Sequence, residues 1–157
     1  MFSYFCLYSF IGFLMESTYI SLFKKKWIAS GLLDGPYIPL YGVGACLLIS
    51  FSSILSKSYL TSFIFGSILM TILEYCTSIY IEKVFHKKCW DYHHHHFHLH
   101  GRICLFYTVL WGILSVILIH FIIPALPFEP TILTELLSLI IICIILKDTI
   151  KQKRIVN

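Results

Sequence analysis

Long apolar runs separated by short polar bands dominate the chain. A transmembrane helix needs about 20 apolar residues to cross the hydrocarbon core, because it rises only about 1.5 Å per residue. Four runs meet that length, and a fifth is shorter but almost uniformly apolar. We therefore predict an all-α integral membrane bundle forming one domain over 1–157. Its five or so transmembrane helices are predicted at residues 2–23, 37–55, 59–81, 103–123 and 131–146.

Composition supports this membrane class and argues against a soluble protein. Of the 157 residues, 58% are hydrophobic and only 13% are charged, and the mean hydropathy is +0.83. A soluble domain carries about a quarter charged residues to wet its surface. The net charge of +4 does not indicate nucleic acid, since basic residues of a membrane chain report its orientation.

The basic residues are distributed asymmetrically between the predicted helices. Three follow the first helix, four lie between the third and fourth, and four follow the fifth, whereas Lys57 stands alone on the other side. Loops rich in Lys and Arg remain in the cytoplasm. The pattern therefore predicts a plasma-membrane protein with its N-terminus outside, its C-terminus in the cytoplasm and the loop between helices three and four also cytoplasmic.

Glu16 and Glu74 fall well inside predicted helices, where an ionisable side chain is costly unless it faces a partner or water. Each precedes a basic band by eight or nine residues, so both lie in the cytoplasmic third of the membrane. Three further polar residues lie near the same boundary. Together they form the predicted functional polar cluster: Glu16, Glu74, Glu82, Asp91 and Arg102. The alternative is a structural ion pair or interhelical hydrogen bond that holds the bundle together.

Glycines, prolines and tyrosines mark the segment 31–44, which leads into the second predicted helix. One interpretation is a broken or re-entrant segment whose free backbone groups meet a ligand. The other is close helix packing through small residues. For the ligand interpretation, the predicted lining residues are Tyr37, Tyr41, Trp90 and Tyr92.

Histidines crowd the predicted cytoplasmic loop between helices three and four. In an extended segment His94, His96, His98 and His100 share one face, because side chains alternate. Imidazole suits divalent transition metals, so these four residues are the candidate ligands of such a metal, with Asp91 and Glu82 as supporting partners. The alternative is a tolerated polar run with no metal role.

The sequence lacks the catalytic motifs that are common in soluble enzymes. It contains no GxxxxGK[ST] phosphate loop and no recognisable nucleophile signature, so the chain is not itself a P-loop ATPase. The six cysteines are scattered through apolar stretches without a CxxC pair. These features lean away from an enzyme without excluding one.

Several motifs from about residue 4 to residue 123 occur in one order. They are Tyr8-Ser-Phe with Gly12 and Glu16, Gly35-Pro-Tyr-Ile-Pro-Leu-Tyr-Gly-Val-Gly-Ala45, Leu73-Glu-Tyr with Thr77, Glu82-Lys with Phe85, Trp90-Asp-Tyr92, and Gly101-Arg-Ile-Cys-Leu105 with Trp111-Gly112. This set resembles a family of small bacterial membrane proteins, chiefly from Gram-positive anaerobes, catalogued as ABC-transporter permeases. Glu16, Glu74, Asp91 and Arg102 fall on its motif positions, whereas the histidine run departs from it.

The resemblance implies a permease component with a separate ATPase subunit, docked through the stretch 82–102. Five helices are few for a translocation path, so it also implies a homo-oligomer or a second membrane subunit. Two other functions stay open from the residues. One is a membrane-embedded enzyme that acts on a lipid-like substrate through Glu16 and Glu74. The other is a metal-binding membrane protein that uses the histidine loop.

Overall fold

The computed structural model describes residues 1–125 and 128–156, and helices make up most of this part of the chain. Two short antiparallel strands form the only sheet of these residues. The elements in chain order are α1 (Phe2–Lys24), α2 (Pro39–Ser50), α3 (Ser52–Leu55), α4 (Tyr59–Phe85), β1 (His98–Leu99), β2 (Ile103–Cys104), α5 (Leu105–Ile117), a π-helical turn (Leu118–Ile122), α6 (Ile123–Ala125) and α7 (Ile132–Val156).

Three of these helices are long and apolar enough to cross a membrane: Phe2–Lys24, Tyr59–Phe85 and Leu105–Ala125. Their exposed side chains are largely aliphatic and aromatic. Side chains of this kind suit lipid as their solvent, and a helix satisfies its own backbone hydrogen bonds there. The chain is therefore an integral membrane protein with a helical architecture.

The chain divides into two compact units. The first unit comprises Met1–Cys46 and Pro130–Asn157, and it pairs α1 with α7. The N-terminal ammonium group lies 2.8 Å from Glu135 Oε1, and Cys6 Sγ donates to Ser138 O at 3.5 Å. Later residues of α1 therefore meet later residues of α7, which means that the two helices run parallel.

Small residues line the buried face of α1. Ser3, Ser9, Gly12 and Ser17 are all buried there. Tyr41 of α2 packs directly on Gly12, at a distance that leaves no room for a Cβ. The Ile38 N–H donates to Ser9 O at 3.0 Å, so the segment before α2 is anchored on α1. Within 31–44, Gly42 lies against Phe5 and the Ser9 side chain of α1 and leaves no room for a Cβ.

The second unit spans Leu47–Glu129 and is built on the antiparallel pair α4 and α5. Gly66 of α4 lies against the Ser115 side chain, and Gly112 of α5 lies against Ser67 and Phe63. The two helix axes approach closely because no Cβ stands at these positions. Close backbone approach of this kind is how membrane helices gain packing energy without a hydrophobic driving force.

A π-helical turn precedes Pro124 on the continuous stretch 105–125. Proline lacks an N–H and its ring clashes with the carbonyl four residues earlier, which is His120 O. The helix widens instead, and the Ile123 N–H donates to Leu118 O, five residues back. The turn brings His120 Nε2 to 2.8 Å from Ser62 Oγ on α4. The proline thus fixes the position of the only histidine found in a helix within the described residues.

The second and fifth predicted helices differ from the observed ones. The stretch 37–55 contains two helices interrupted at Phe51, and the first starts only at Pro39, because proline favours the first helical position. The last helix continues beyond residue 146 to Val156. Neither glycine nor proline interrupts it there, and Lys, Gln and Arg are good helix formers. The fourth starts at Leu105, since residues 103–104 form β2.

Candidate functional site

One face of α4 presents a row of polar side chains to α5 and to the loop that joins the two helices. These side chains recur every three or four residues, which places them on the same side of an α-helix. Thr71 Oγ1 donates to Thr108 Oγ1 of α5 at 3.0 Å. The other three residues form hydrogen bonds or an ion pair with the loop or with α5. The row consists of Thr71, Glu74, Ser78 and Glu82.

Glu74 lies at the centre of this row and is only 3% exposed. The Tyr92 hydroxyl donates to its Oε1 at 3.0 Å, and the Trp111 indole N–H donates to its Oε2 at 3.0 Å. Each carboxylate oxygen therefore has a donor from a different element. Donors of this kind compensate the loss of water around a buried acid, which otherwise costs several kcal/mol.

Arg102, in the turn between β1 and β2, contacts the same face of α4 closer to its C-terminal end. Its Nη1 donates to Ser78 Oγ at 3.0 Å, and its Nη2 forms an ion pair with Glu82. The Trp90 indole N–H donates to the Arg102 carbonyl at 2.8 Å. The guanidinium group thus fastens the end of the loop to α4, with Glu82 as its ion-pair partner.

The loop itself folds into a compact cap, defined here as residues 90–104. Its strands pair His98 with Cys104 and Leu99 with Ile103, and the Tyr92 N–H donates to Gly101 O at 2.8 Å. Gly101 has a φ of +67°, and its Cα lies against the His93 ring and the Asp91 carboxylate. A side chain at Gly101 would clash with both, so the cap requires glycine there.

Two groups of the cap have shifted pKa values. Burial, and then the adjacent Glu74 carboxylate, raises the pKa of Tyr92 well above its usual range. The phenol therefore stays protonated and acts as a donor. The His93 backbone N–H, followed by its ring, lowers the pKa of Asp91 by stabilising the charged carboxylate. Asp91 thus bonds within the cap, to His93.

The remaining residues predicted as polar or ligand-lining lie in the first unit. The Ser30 hydroxyl donates to Glu16 Oε1 at 2.5 Å. Tyr41 packs on Gly12, and Tyr37 donates from its hydroxyl to Asp148. Glu16 therefore has its hydrogen-bond partner within the first unit, and Glu74 has its partners within the second. The polar cluster of the second unit comprises Glu74, Glu82, Asp91 and Arg102, with Trp90 and Tyr92.

The predicted metal-ligating histidines have other neighbours. The His98 ring accepts from the Gly101 N–H at 3.2 Å, and His100 Nδ1 lies 3.0 Å from the Tyr75 hydroxyl. Phe97 and His100 have positive φ, which interrupts the extended backbone that would place all four histidines on one face. Across residues 1–125 and 128–156, no three His, Cys, Asp or Glu side chains are grouped as metal ligands.

Trp111 and Ser78 belong to this site although sequence reasoning did not single them out as site residues. A signal for Ser78 was present, because it lies four residues after Glu74 and four before Glu82 and therefore on the same helical face. Trp111 carried no such signal, because its contact with Glu74 depends on how α5 is set against α4. From the sequence, a tryptophan inside an apolar helix is equally compatible with apolar packing alone.

A comparison with known protein families covers all the residues of this site. The model of a family described as "Putative ABC-transporter type IV" matches residues 3–152. The chain belongs to this family. The resemblance expected from the motifs is thereby confirmed, and the match supports a transporter-related role in a membrane. No curated protein and no solved structure matched the chain.

Proposed function

We propose that the chain is the permease component of an ABC-type transporter and works with a separate ATPase subunit. The observation that carries the proposal is the family match over residues 3–152, which includes the helices and the cap. The sequence has no phosphate-binding loop of its own, so hydrolysis of ATP must come from a partner.

The geometry of the first unit supports five crossings with the N-terminus outside. Parallel α1 and α7 bring their C-terminal ends to one side, and those ends carry Lys24 and the basic residues Lys153 and Arg154. Basic residues mark the cytoplasmic side. Two parallel membrane helices are separated by an odd number of crossings, here α2–α3, α4 and the stretch 105–125.

The cap is the element we propose for docking the ATPase. It is held to α4 by Arg102, through Ser78 and Glu82, and by Tyr92, through Glu74. Glu74 lies eleven residues before the end of α4 at Phe85, about 16 Å along the helix axis. A displacement of the cap therefore reaches the buried Glu74, deep in α4, through the hydrogen bond from Tyr92. The cap and the polar cluster together would couple ATP hydrolysis to movement of the membrane helices.

A second copy of the chain is part of the proposal. Three helices are long and apolar enough to span the bilayer, and α2–α3 with α7 raise the proposed total to five. A protein-lined path across the bilayer has to be surrounded by helices, and five leave little room for one. Two chains would supply ten.

Copurification tests the permease proposal. The tagged chain is purified in mild detergent from its native membranes, and bound proteins are identified by peptide mass spectrometry. We expect a P-loop ATPase to be recovered in constant ratio with the wild type and to be lost with Arg102→Gln. Lys57→Gln removes the same charge from the other proposed side and should retain the ATPase. Repeated recovery of the chain without any P-loop subunit would contradict the proposal.

A further inference from the structure

A cleft in the first unit lies beside α1, the segment before α2, and α7. Its volume is about 530 Å³, within the range of about 300–1,000 Å³ usual for small-molecule sites. Residues from both helices line one wall, and they are apolar. This wall is formed by Phe10, Ile141 and Ile144, all three of which have exposed side chains.

The opposite end of the cleft is polar. It is lined by Asp34, Tyr37 and Asp148. The Tyr37 hydroxyl donates to Asp148, while Asp34 accepts from Lys151 Nζ at 2.6 Å and from Gln152 Nε2 at 2.7 Å. The cleft therefore has an apolar body and an acidic end, and a ligand that fits it must itself be amphipathic.

The two carboxylates at the acidic end have different partners. Two carboxylates, Asp34 and Asp148, act on one ammonium group, that of Lys151, and both contribute to raising the pKa of Lys151. Lys151 is hydrogen-bonded to Asp34, whereas Asp148 accepts from the neutral Tyr37 hydroxyl. The Asp148 carboxylate therefore lies beside the Tyr37 ring with a neutral partner, and a carboxylate attracts cations and repels anions.

We propose that this cleft binds an amphipathic organic cation. Its apolar body would lie against Phe10, Ile141 and Ile144, and its cationic head would lie beside Asp148 and Tyr37. A positive head gains from the Asp148 carboxylate, and additionally from the face of an aromatic ring when it lies within about 6 Å. A small inorganic cation would leave the apolar wall uncovered. The inference concerns binding in the first unit, and it does not depend on the permease proposal.

Two ions of one shape and opposite charge test this site. The full chain, purified in a neutral detergent, is titrated with tetraphenylphosphonium and with tetraphenylborate, and binding is followed by equilibrium dialysis. We expect saturable binding of one cation per chain, with the anion binding at least tenfold more weakly. Equal binding of both ions would mean partition into the micelle and would overturn the proposal.

Two variants locate the bound cation. Asp148→Asn removes the carboxylate charge of the cleft that has a neutral partner and should weaken binding at least tenfold, whereas Glu129→Gln removes an exposed carboxylate from the other unit and should leave binding unchanged. Ile144→Trp fills the cleft from an exposed helix position and should also abolish binding. If Asp148→Asn fails to fold, Ile144→Trp decides: cation binding that survives this change refutes the site.

Discussion

Glu74 illustrates at the scale of one residue how this chain keeps an acid inside an apolar helix. The carboxylate is almost fully buried, and its two oxygens receive one neutral donor each, from Tyr92 and Trp111. A hydrogen bond to a charged group contributes more than one between neutral groups, about 1.5–3 kcal/mol. The two donors are therefore strong constraints on where the cap and α5 sit.

Tyr92→Phe tests the first of these constraints. The change keeps the ring, which stacks on Tyr107 at 4.6 Å, and removes only the donor to Glu74. We expect the free energy of unfolding to fall by about 2 kcal/mol. The midpoint temperature of thermal unfolding in detergent should fall by roughly 4–8 °C. Tyr19→Phe, at an exposed position of α1, is the control and should change little.

A double-mutant cycle separates this bond from other effects of the tyrosine. Glu74→Gln is combined with Tyr92→Phe, and the free energy of unfolding is measured for all four proteins. Residues in direct contact couple by about 0.5–3 kcal/mol. We therefore expect the double variant to lose less unfolding free energy than the two single variants lose together. Strict additivity would show that the hydrogen bond contributes nothing.

The pair formed by Asp34 and Lys151 predicts a pH dependence. The hydrogen bond from Lys151 lowers the pKa of Asp34 below its usual 3.8, so the folded state binds this proton more weakly than the unfolded state. The stabilisation is therefore complete above about pH 5 and is lost as the pH falls through the lowered pKa. We expect wild type and Asp34→Asn to differ in their midpoint temperature of thermal unfolding at pH 6, and this difference to shrink as the pH falls below 3.8. A difference that does not shrink below that pH contradicts the ion pair.

At the scale of elements, α4 and α5 are held together by close contact at small residues. Gly66→Ala would place a methyl group where the Ser115 side chain already lies. Overpacking of this kind typically costs about 1–3 kcal/mol of stability. We expect the midpoint temperature of thermal unfolding in detergent to fall accordingly. Combining it with Ser115→Gly should restore most of the loss.

The control for this packing prediction is a change on the lipid-facing side of the same helix. Ile68 is 57% exposed, so Ile68→Ala should have a much smaller effect than Gly66→Ala. If Ser115→Gly fails to rescue Gly66→Ala, the contact between α4 and α5 differs from the one described.

At the scale of the whole molecule, sidedness can be measured directly. Single cysteines are introduced as Lys25→Cys, Lys57→Cys, His94→Cys and Lys153→Cys in a chain freed of its six cysteines, which are not disulfide-bonded in the part of the chain described. With a membrane-impermeant maleimide we expect intact cells to label only position 57. The other three should label after permeabilisation. Opposite sides for positions 25 and 153 would contradict the five-crossing topology.

Membrane insertion and family membership were predictable from the sequence alone. A run such as 59–81 is mostly apolar and long enough to cross the hydrocarbon core, so its length and hydropathy suffice to predict insertion. The ordered motifs from Tyr8 to Trp111 likewise indicated the family, and the match over residues 3–152 confirms it. Glu74 and Arg102 could be selected because a charge inside or beside such a run needs an explanation.

Which groups meet was decided only by the tertiary structure. Glu74 bonds to Tyr92 and Trp111, which lie eighteen and thirty-seven residues farther along the chain, and their contact depends on the helix pairing of α4 with α5 and on a positive φ at Gly101. Similarly, Asp34 meets Lys151 because α1 and α7 run parallel. Hydropathy is a property of each segment and can be read from it, whereas pairing depends on side-chain packing between distant segments, which no single segment encodes.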